Sequence, residues 1–159
     1  MNHIQAKFVK ASSKEEYELG KALFVSYAKA IGVDLSFQGF ENELLHVNVQ
    51  YGPPEGALFL VYVDEPSPAG CFALRKFETN VCELKRMFLE KTQRGKGIGR
   101  HMMEKALLEA RELGYGKIRL DSLRSMKSAI ALYREFGFKE VEPYRYNPFK
   151  DAVYFEKEI

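Results

Sequence analysis

Apolar residues along this 159-residue chain recur with two periods, and each switch of period marks an element. "IQAKFVKA" (4–11) alternates weakly and predicts a first strand. The next stretch carries Ser and Glu at capping-box spacing twice, Ser12 with Glu15 and Ser13 with Glu16. Helical spacing then runs through Leu19, Leu23 and Tyr27, and Gly32 closes it. "FQGFENELLHV" (37–47) predicts a shorter second helix, and "QYGPPEG" (50–56) is a turn-rich break.

Three strand-like runs follow, "ALFLVYV" (57–63), "AGCFALRKF" (69–77) and "VCELKRMFL" (81–89), with connectors short enough for an antiparallel meander. Residues 97–113 place Ile98, Met102, Ala106, Ala110 and Leu113 on one helical face, with Gly114 as the stop. "GKIRLDS" (116–122) is a strand. "SMKSAIALYREFG" (125–137) is a helix with Ala129, Ile130, Tyr133 and Phe136 inward. "FKEVEPY" and "AVYFEKEI" are two final strands separated by "RYNPFKD". The order β-α-α-β-β-β-α-β-α-β-β implies an α/β (α+β) architecture, a mixed sheet with helices on both faces. There is no repeat, low-complexity tract or long linker, so residues 1–159 are expected to form one domain.

Composition narrows the class without naming it. An apolar share of 46%, with 13% aromatic, supplies a real core. The longest apolar run, 57–63, is far short of the ~20 residues of a membrane-spanning helix, and the N-terminus has no apolar signal core. A cytoplasmic protein with no membrane partner is the expectation. A net charge of +2 without a basic cluster argues against a nucleic-acid binder. Cys71 and Cys82 fall on neighbouring strands without facing each other, so two buried free thiols are expected, and three scattered histidines offer no metal-ligand spacing.

The chemistry concentrates at "QRGKGIG" (93–99), where glycines alternate between basic side chains just before a helix. A dinucleotide fold needs G-x-G-x-x-G directly after a strand; here the position three beyond Gly97 is Arg100, and only Asp121, at a strand end, suits that fold's ribose ligand. A phosphate loop of the Walker type needs Ser or Thr after Gly-Lys, and Lys96 precedes Gly97. What remains is backbone N–H groups converging at a helix N-terminus, a site for phosphate oxygens, with Arg94, Lys96 and Arg100 at its rim. The plainer alternative is a glycine-rich turn with solvated cations. So much backbone freedom costs more than such a turn requires.

On these residues the chain resembles the GNAT superfamily of N-acetyltransferases. "RGKGIG" (94–99) matches its Arg/Gln-x-x-Gly-x-Gly/Ala loop, and the likeness runs over about residues 81 to 138, through the "A-x-x-L-Y-x-x-x-G-F" helix. The resemblance implies a mostly antiparallel central sheet and acetyl-CoA as cofactor. Its diphosphate would lie on Arg94, Gly95, Lys96, Gly97, Ile98, Gly99 and Arg100, and its pantetheine arm along the main chain of Met87, Phe88 and Leu89. Where the family commonly has a cofactor-binding Asn this chain has Met126, and Ser125 or Ser128 is the substitute.

Transfer to an amine needs a group to take the amine's proton and one to protonate the departing sulfur. Glu83 sits where the family often has its base, and alternation puts it on one strand face with Lys85, Met87 and Leu89. The alternative is an ion pair with Lys85 or a cross-strand cation. Tyr133 falls where the family places its proton donor; the plainer reading is a core tyrosine. By the same likeness the acceptor pocket would draw on Phe37, Gln38, Glu41, Tyr144, Tyr146 and Asn147. Glu41 and Glu83 suit a cationic amine, and Lys85 and Arg145 a carboxylate on the same molecule. A small-molecule amine is the expected acceptor, a protein or peptide amine the alternative, and a homodimer follows by analogy only. A non-catalytic acyl-CoA sensor is the rival on the same scaffold. Glycine spacing disfavours a nicotinamide-dependent oxidoreductase, and neither cysteine has an activating neighbour in sequence.

Overall fold

The computed structural model describes residues 5–32, 34–36 and 39–159. Seven strands form one sheet in the order β1-β2-β3-β4-β5-β7-β6. These are β1 (Lys7–Lys10), β2 (Ala57–Tyr62), β3 (Gly70–Glu78), β4 (Val81–Leu89), β5 (Lys117–Leu123), β6 (Lys139–Val141) and β7 (Ala152–Glu158). Five helices accompany them: α1 (Lys14–Ile31), α2 (Phe40–Leu45), α3 (Val47–Gln50), α4 (Ile98–Glu112) and α5 (Lys127–Glu135). All neighbouring strands are antiparallel except β4 and β5.

Of the two capping boxes the sequence allows, Ser13 with Glu16 forms the α1 cap, and Gly32 ends the helix at φ 67°. The helix expected over 37–47 is instead two short ones, α2 entered through left-handed Gly39 and α3 after a break at His46. The strand expected over 138–144 stops at Val141, two residues before Pro143, which cannot donate to a ladder. Cys71 and Cys82 are buried free thiols.

Two apolar layers sandwich the sheet. Leu58 and Leu60 join Cys71, Ala73 and Phe88 under Leu23 and Phe24 of α1 and Val47 of α3. Phe59, Val61, Phe72 and Leu74 join Cys82, Leu84 and the inner face of α4 on the other side, with Tyr133 of α5. β2 is buried on both faces, which is why "ALFLVY" shows no alternation.

Two irregularities in β4 create the site. Between the pairs Cys71–Phe88 and Ala73–Lys85, two residues of β3 span three of β4, and Arg86 takes φ 57°. This bulge shifts the phase of the strand by one residue. Glu83 and Lys85 therefore do not share a face with Met87 and Leu89, as strict alternation predicts; Phe88 falls with the α1 layer, while Met87 and Leu89 pack on the α4 layer. The second irregularity is a split. β4 and β5 pair only over Val81–Glu83 and Lys117–Arg119, while β5 stays paired with β7 as far as Leu123. Beyond Glu83 the strands part, leaving one edge of β4 without a ladder partner.

Candidate active site

At the open end of the split the chain leaves β4, makes a short 3-10 turn over Lys91–Gln93 and enters α4. Gly95 and Gly97 lie at φ 78° and 80°, where any side chain is strained, and a Cβ on either would meet no atom within 4 Å. Gly99 is different: it is helical, and its Cβ would rest 3.9 Å from Leu132, an ordinary contact. Gly97 caps α4 without a side-chain acceptor, so the amides of Ile98, Gly99 and Arg100, in the first turn of the helix, have neither a capping side chain nor an acceptor one turn back in the helix. Such an end carries about half a positive charge, and the open space above the two glycines fits a diphosphate. The cations expected at the rim are partly engaged: Arg94 Nε donates to Leu89 O at 2.8 Å, Lys96 Nζ to Gln93 at 3.0 Å, and Arg100 pairs with Glu135 at 2.7 Å.

Inside the split lies a cleft. Leu84, Lys85 and Arg86 form its β4 wall, and Asp121, Ser122 and Leu123 its β5 wall. Tyr27 and Ile31 of α1 close it from above; Met126, Asn147 and Phe149 line its other side. Met126 is thus at the cleft, where its Sδ accepts a hydrogen bond from Ser122 Oγ at 3.6 Å. Ser125 and Ser128 are exposed, and Ser125 Oγ turns to Asp151 at 3.4 Å. Tyr133 is buried between Phe138 and Phe155, with ring centroids at 6.0 and 5.8 Å. Burial pushes its hydroxyl pKa well up and outweighs the opposing influence of the neighbouring Ser122 hydroxyl, so the proton stays on oxygen.

The inner end of the cleft is a buried charge network. Arg86 Nε and Nη2 donate to the two oxygens of Glu43, each at 2.9 Å, and its guanidinium lies over the rings of Tyr27 and Phe40. Arg75, opposite Glu83 across the ladder, donates to Glu83 Oε1 at 3.0 Å and to Gln50 at 3.0 Å. Arg145 donates to the other oxygen of Glu83. Burial alone would raise the Glu83 pKa, but Lys85, Arg75 and Arg145 together hold it below the usual carboxylate range. Lys85 stands 3.7 Å from Asp121, and burial pushes its pKa down to about 8 against the pull of Glu83 and Asp121.

The acetyltransferase (GNAT) family model matches residues 26–138, most of the chain, with β4, α4, β5 and α5 entire. This chain belongs to the GNAT acetyltransferase family. An uncharacterised N-acetyltransferase of Schizosaccharomyces pombe is 34% identical over 140 residues, covering 87% of this chain and 86% of that protein. A GNAT-family acetyltransferase structure from Staphylococcus aureus superposes with a TM-score of 0.78 at 20% identity, over 97% of this chain and 99% of that one. A GNAT acetyltransferase from Elizabethkingia anophelis, solved with acetyl-CoA bound, shares the fold at a TM-score of 0.65 and 17% identity, over the full length of both chains. The mixed, mostly antiparallel sheet with helices on both faces is thus the fold of this acetyltransferase family.

Within that GNAT frame the expected site residues divide. Lys85 and Asn147 line the cleft, the glycine loop stands at the open end of the split, and Tyr133 is buried in the core. Glu83 does not line the cleft; it is sealed, with both oxygens engaged, and realises the cross-strand ion pair that was the alternative reading. Glu41 is exposed on α2, and Glu43 turns inward instead. Tyr146 is 77% exposed. Tyr144 packs between Phe77 and Tyr154, with its hydroxyl buried. Phe37 and Gln38 lie outside the described residues. Sequence reasoning missed Arg75, Arg86, Glu43 and Tyr27 as parts of the site. The signal for Arg86 was a second cation directly after Lys85, so that alternation had to bury one of the two in an otherwise largely apolar strand. Among the described residues no cluster of His, Cys, Asp and Glu could hold a metal ion, and no helix is long and apolar enough to cross a membrane.

Proposed function

We propose that this GNAT acetyltransferase passes the acetyl group of acetyl-CoA to a primary amine of a small molecule, by direct transfer with both bound in the β4–β5 split. One observation carries the reading: the unpaired edge of β4 joins the uncapped α4 N-terminus at one end to the buried charges at the other. The amides of Ile98, Gly99 and Arg100, with Gly95 and Gly97, would hold the diphosphate. The main chain of Met87, Phe88 and Leu89 would pair with the pantetheine arm as an added strand does. Held by these groups, acetyl-CoA would supply an activated acyl carbon.

Residues of the chain do the rest. Asp121 on the cleft wall takes the amine's proton, directly or through a water, because an amine with a solution pKa of ~10.4 must be deprotonated to attack. As the N–C bond forms and the C–S bond breaks, Tyr133, kept protonated by burial, gives its proton to the sulfur. Glu83 was the expected base. With its pKa lowered and an arginine on each oxygen it is a weak proton acceptor, and we assign it the positioning of Arg75 and Arg145 instead. Acetyl-CoA consumption with a panel of primary amines, by mass detection, tests the activity. Asp121→Asn and Glu83→Gln separate the two carboxylates. Asp121→Asn is expected to lose about 100-fold or more in kcat, the scale of general base catalysis, and full turnover in this variant overturns the assignment.

A further inference from the structure

The cleft already holds an amine beside its proposed base. Lys85 and Asp121 form an ion pair 3.7 Å apart on facing walls, with side chains 2% and 9% exposed. Lys85 is the one amine among the described residues that line the cleft; its neighbour Arg86 is a guanidinium held by both oxygens of Glu43. Pairing of β4 with β5 ends at Glu83, so Lys85 lies on the same unpaired stretch of strand as Met87, Phe88 and Leu89. That stretch is the proposed track of the pantetheine arm. A donor bound there would have its acyl end in a cleft lined by a lysine of the protein itself.

An ammonium cannot attack a thioester, so its protonation decides whether this lysine reacts. Around it stand Asp121 of β5, Glu83 and Arg86 of β4, Arg145 of the β6–β7 connection and Tyr27 of α1. Burial and the two arginines favour the neutral amine, Glu83 and Asp121 favour the ammonium, and the balance leaves the pKa at about 8. At pH 7 roughly a tenth of the molecules then carry a neutral Lys85, against fewer than about one in a thousand for a lysine titrating at ~10.4.

We infer that Lys85 is an acetylation site of this protein, modified from acetyl-CoA held in its own cleft while no acceptor amine is present. This rests on the proposed acetyl-CoA-dependent transfer and adds a competing acceptor within the chain. Lys85 gives its ammonium proton to water, and its Nζ bonds to the acyl carbon as the C–S bond breaks. The amine's surplus proton passes to Asp121, and Tyr133 protonates the departing sulfur, so free CoA is released. The proton on Asp121 then replaces that of Tyr133 through water. The amide left on Lys85 carries no charge and occupies the place of an acceptor beside Asp121, so transfer to other amines stops.

Calorimetry with CoA comes first, since no binding defeats the underlying reading and this one with it. The protein is then incubated with acetyl-CoA and no amine, and followed by intact mass and peptide mapping. We expect one acetyl group per chain, on Lys85 ahead of exposed Lys96, and suppression by excess CoA. The rate should rise about tenfold from pH 7 to pH 9 and level off there, whereas acetylation of an exposed lysine climbs on toward ~10.4. Lys85→Arg keeps a cation opposite Asp121 and should bind CoA without gaining mass. The inference is overturned if CoA binds and Lys85 stays unmodified, or if Lys85→Arg gains acetyl groups at the parent's rate. Acetylation of exposed lysines as fast as Lys85, or indifferent to excess CoA, overturns it equally, and this comparison needs only the parent protein.

Discussion

At the α4 end of the split the polar groups on offer are main-chain amides, laid over open space by two left-handed glycines and edged by exposed cations. At the α1 end they are side chains, seven charged residues drawn from α2, β3, β4, β5 and the β6–β7 connection, four of them nearly inaccessible to solvent. The first arrangement is local in sequence, tolerant of side-chain identity at its rim, and cheap to leave without ligand because water satisfies its donors. The second is assembled at long range and unforgiving, since each charge depends on a partner from another element. A cradle built from backbone thus adjoins a cluster built from a particular set of charges.

Substitutions can break this contrast, and the largest effect belongs to the buried end. Arg86→Ala strands Glu43, and loss of one partner of such a pair costs about 3–5 kcal/mol, measurable as a drop in the unfolding midpoint in urea. A loss below about 1 kcal/mol would mean that the network is wetter than its burial says. Tyr133→Phe keeps the ring between Phe138 and Phe155, so stability and CoA affinity should hold while kcat falls tenfold or more. At the backbone end, Gly97→Val puts a branched side chain at φ 80°; about 1–2 kcal/mol of stability and at least tenfold of CoA affinity should go.

Proton linkage sharpens the same contrast. The folded pKa of Lys85 is lowered from 10.5 to about 8, so between those values the unfolded chain holds more protons and stability rises with pH. Relative to Lys85→Met, the parent should gain stability through that window, and a flat difference would place Lys85 in water. The smallest effect is at the rim, where Lys96→Ala should weaken CoA by only about two- to fivefold and in a salt-dependent way, as exposed charges do.

The two ends also differ in how much of them sequence reveals. "QRGKGIG" announces the cradle because its chemistry lies in consecutive residues, and the adjoining α4 and α5 follow from apolar spacing. The inner end depends on events that periodicity does not carry. The bulge at Arg86 resets the phase of β4, so alternation misassigns Met87 and Leu89. In α2, residues 41 and 43 stand about 200° apart, and the entry at Gly39 decides that Glu43 rather than Glu41 turns in. Glu83 reads as a candidate base because its partners, Arg75 and Arg145, are 8 and 62 residues away. Long-range ion pairing was the open variable, and the proposed positioning role of that carboxylate rests on it.

Calorimetric titration of acetyl-CoA into the purified, folded protein bears most directly on the account. The main-chain cradle before α4 predicts saturable binding of one molecule per chain, weakened at least tenfold by Gly97→Val and little by Lys96→Ala. No heat of binding to folded protein, or equal affinity in all three, would contradict it.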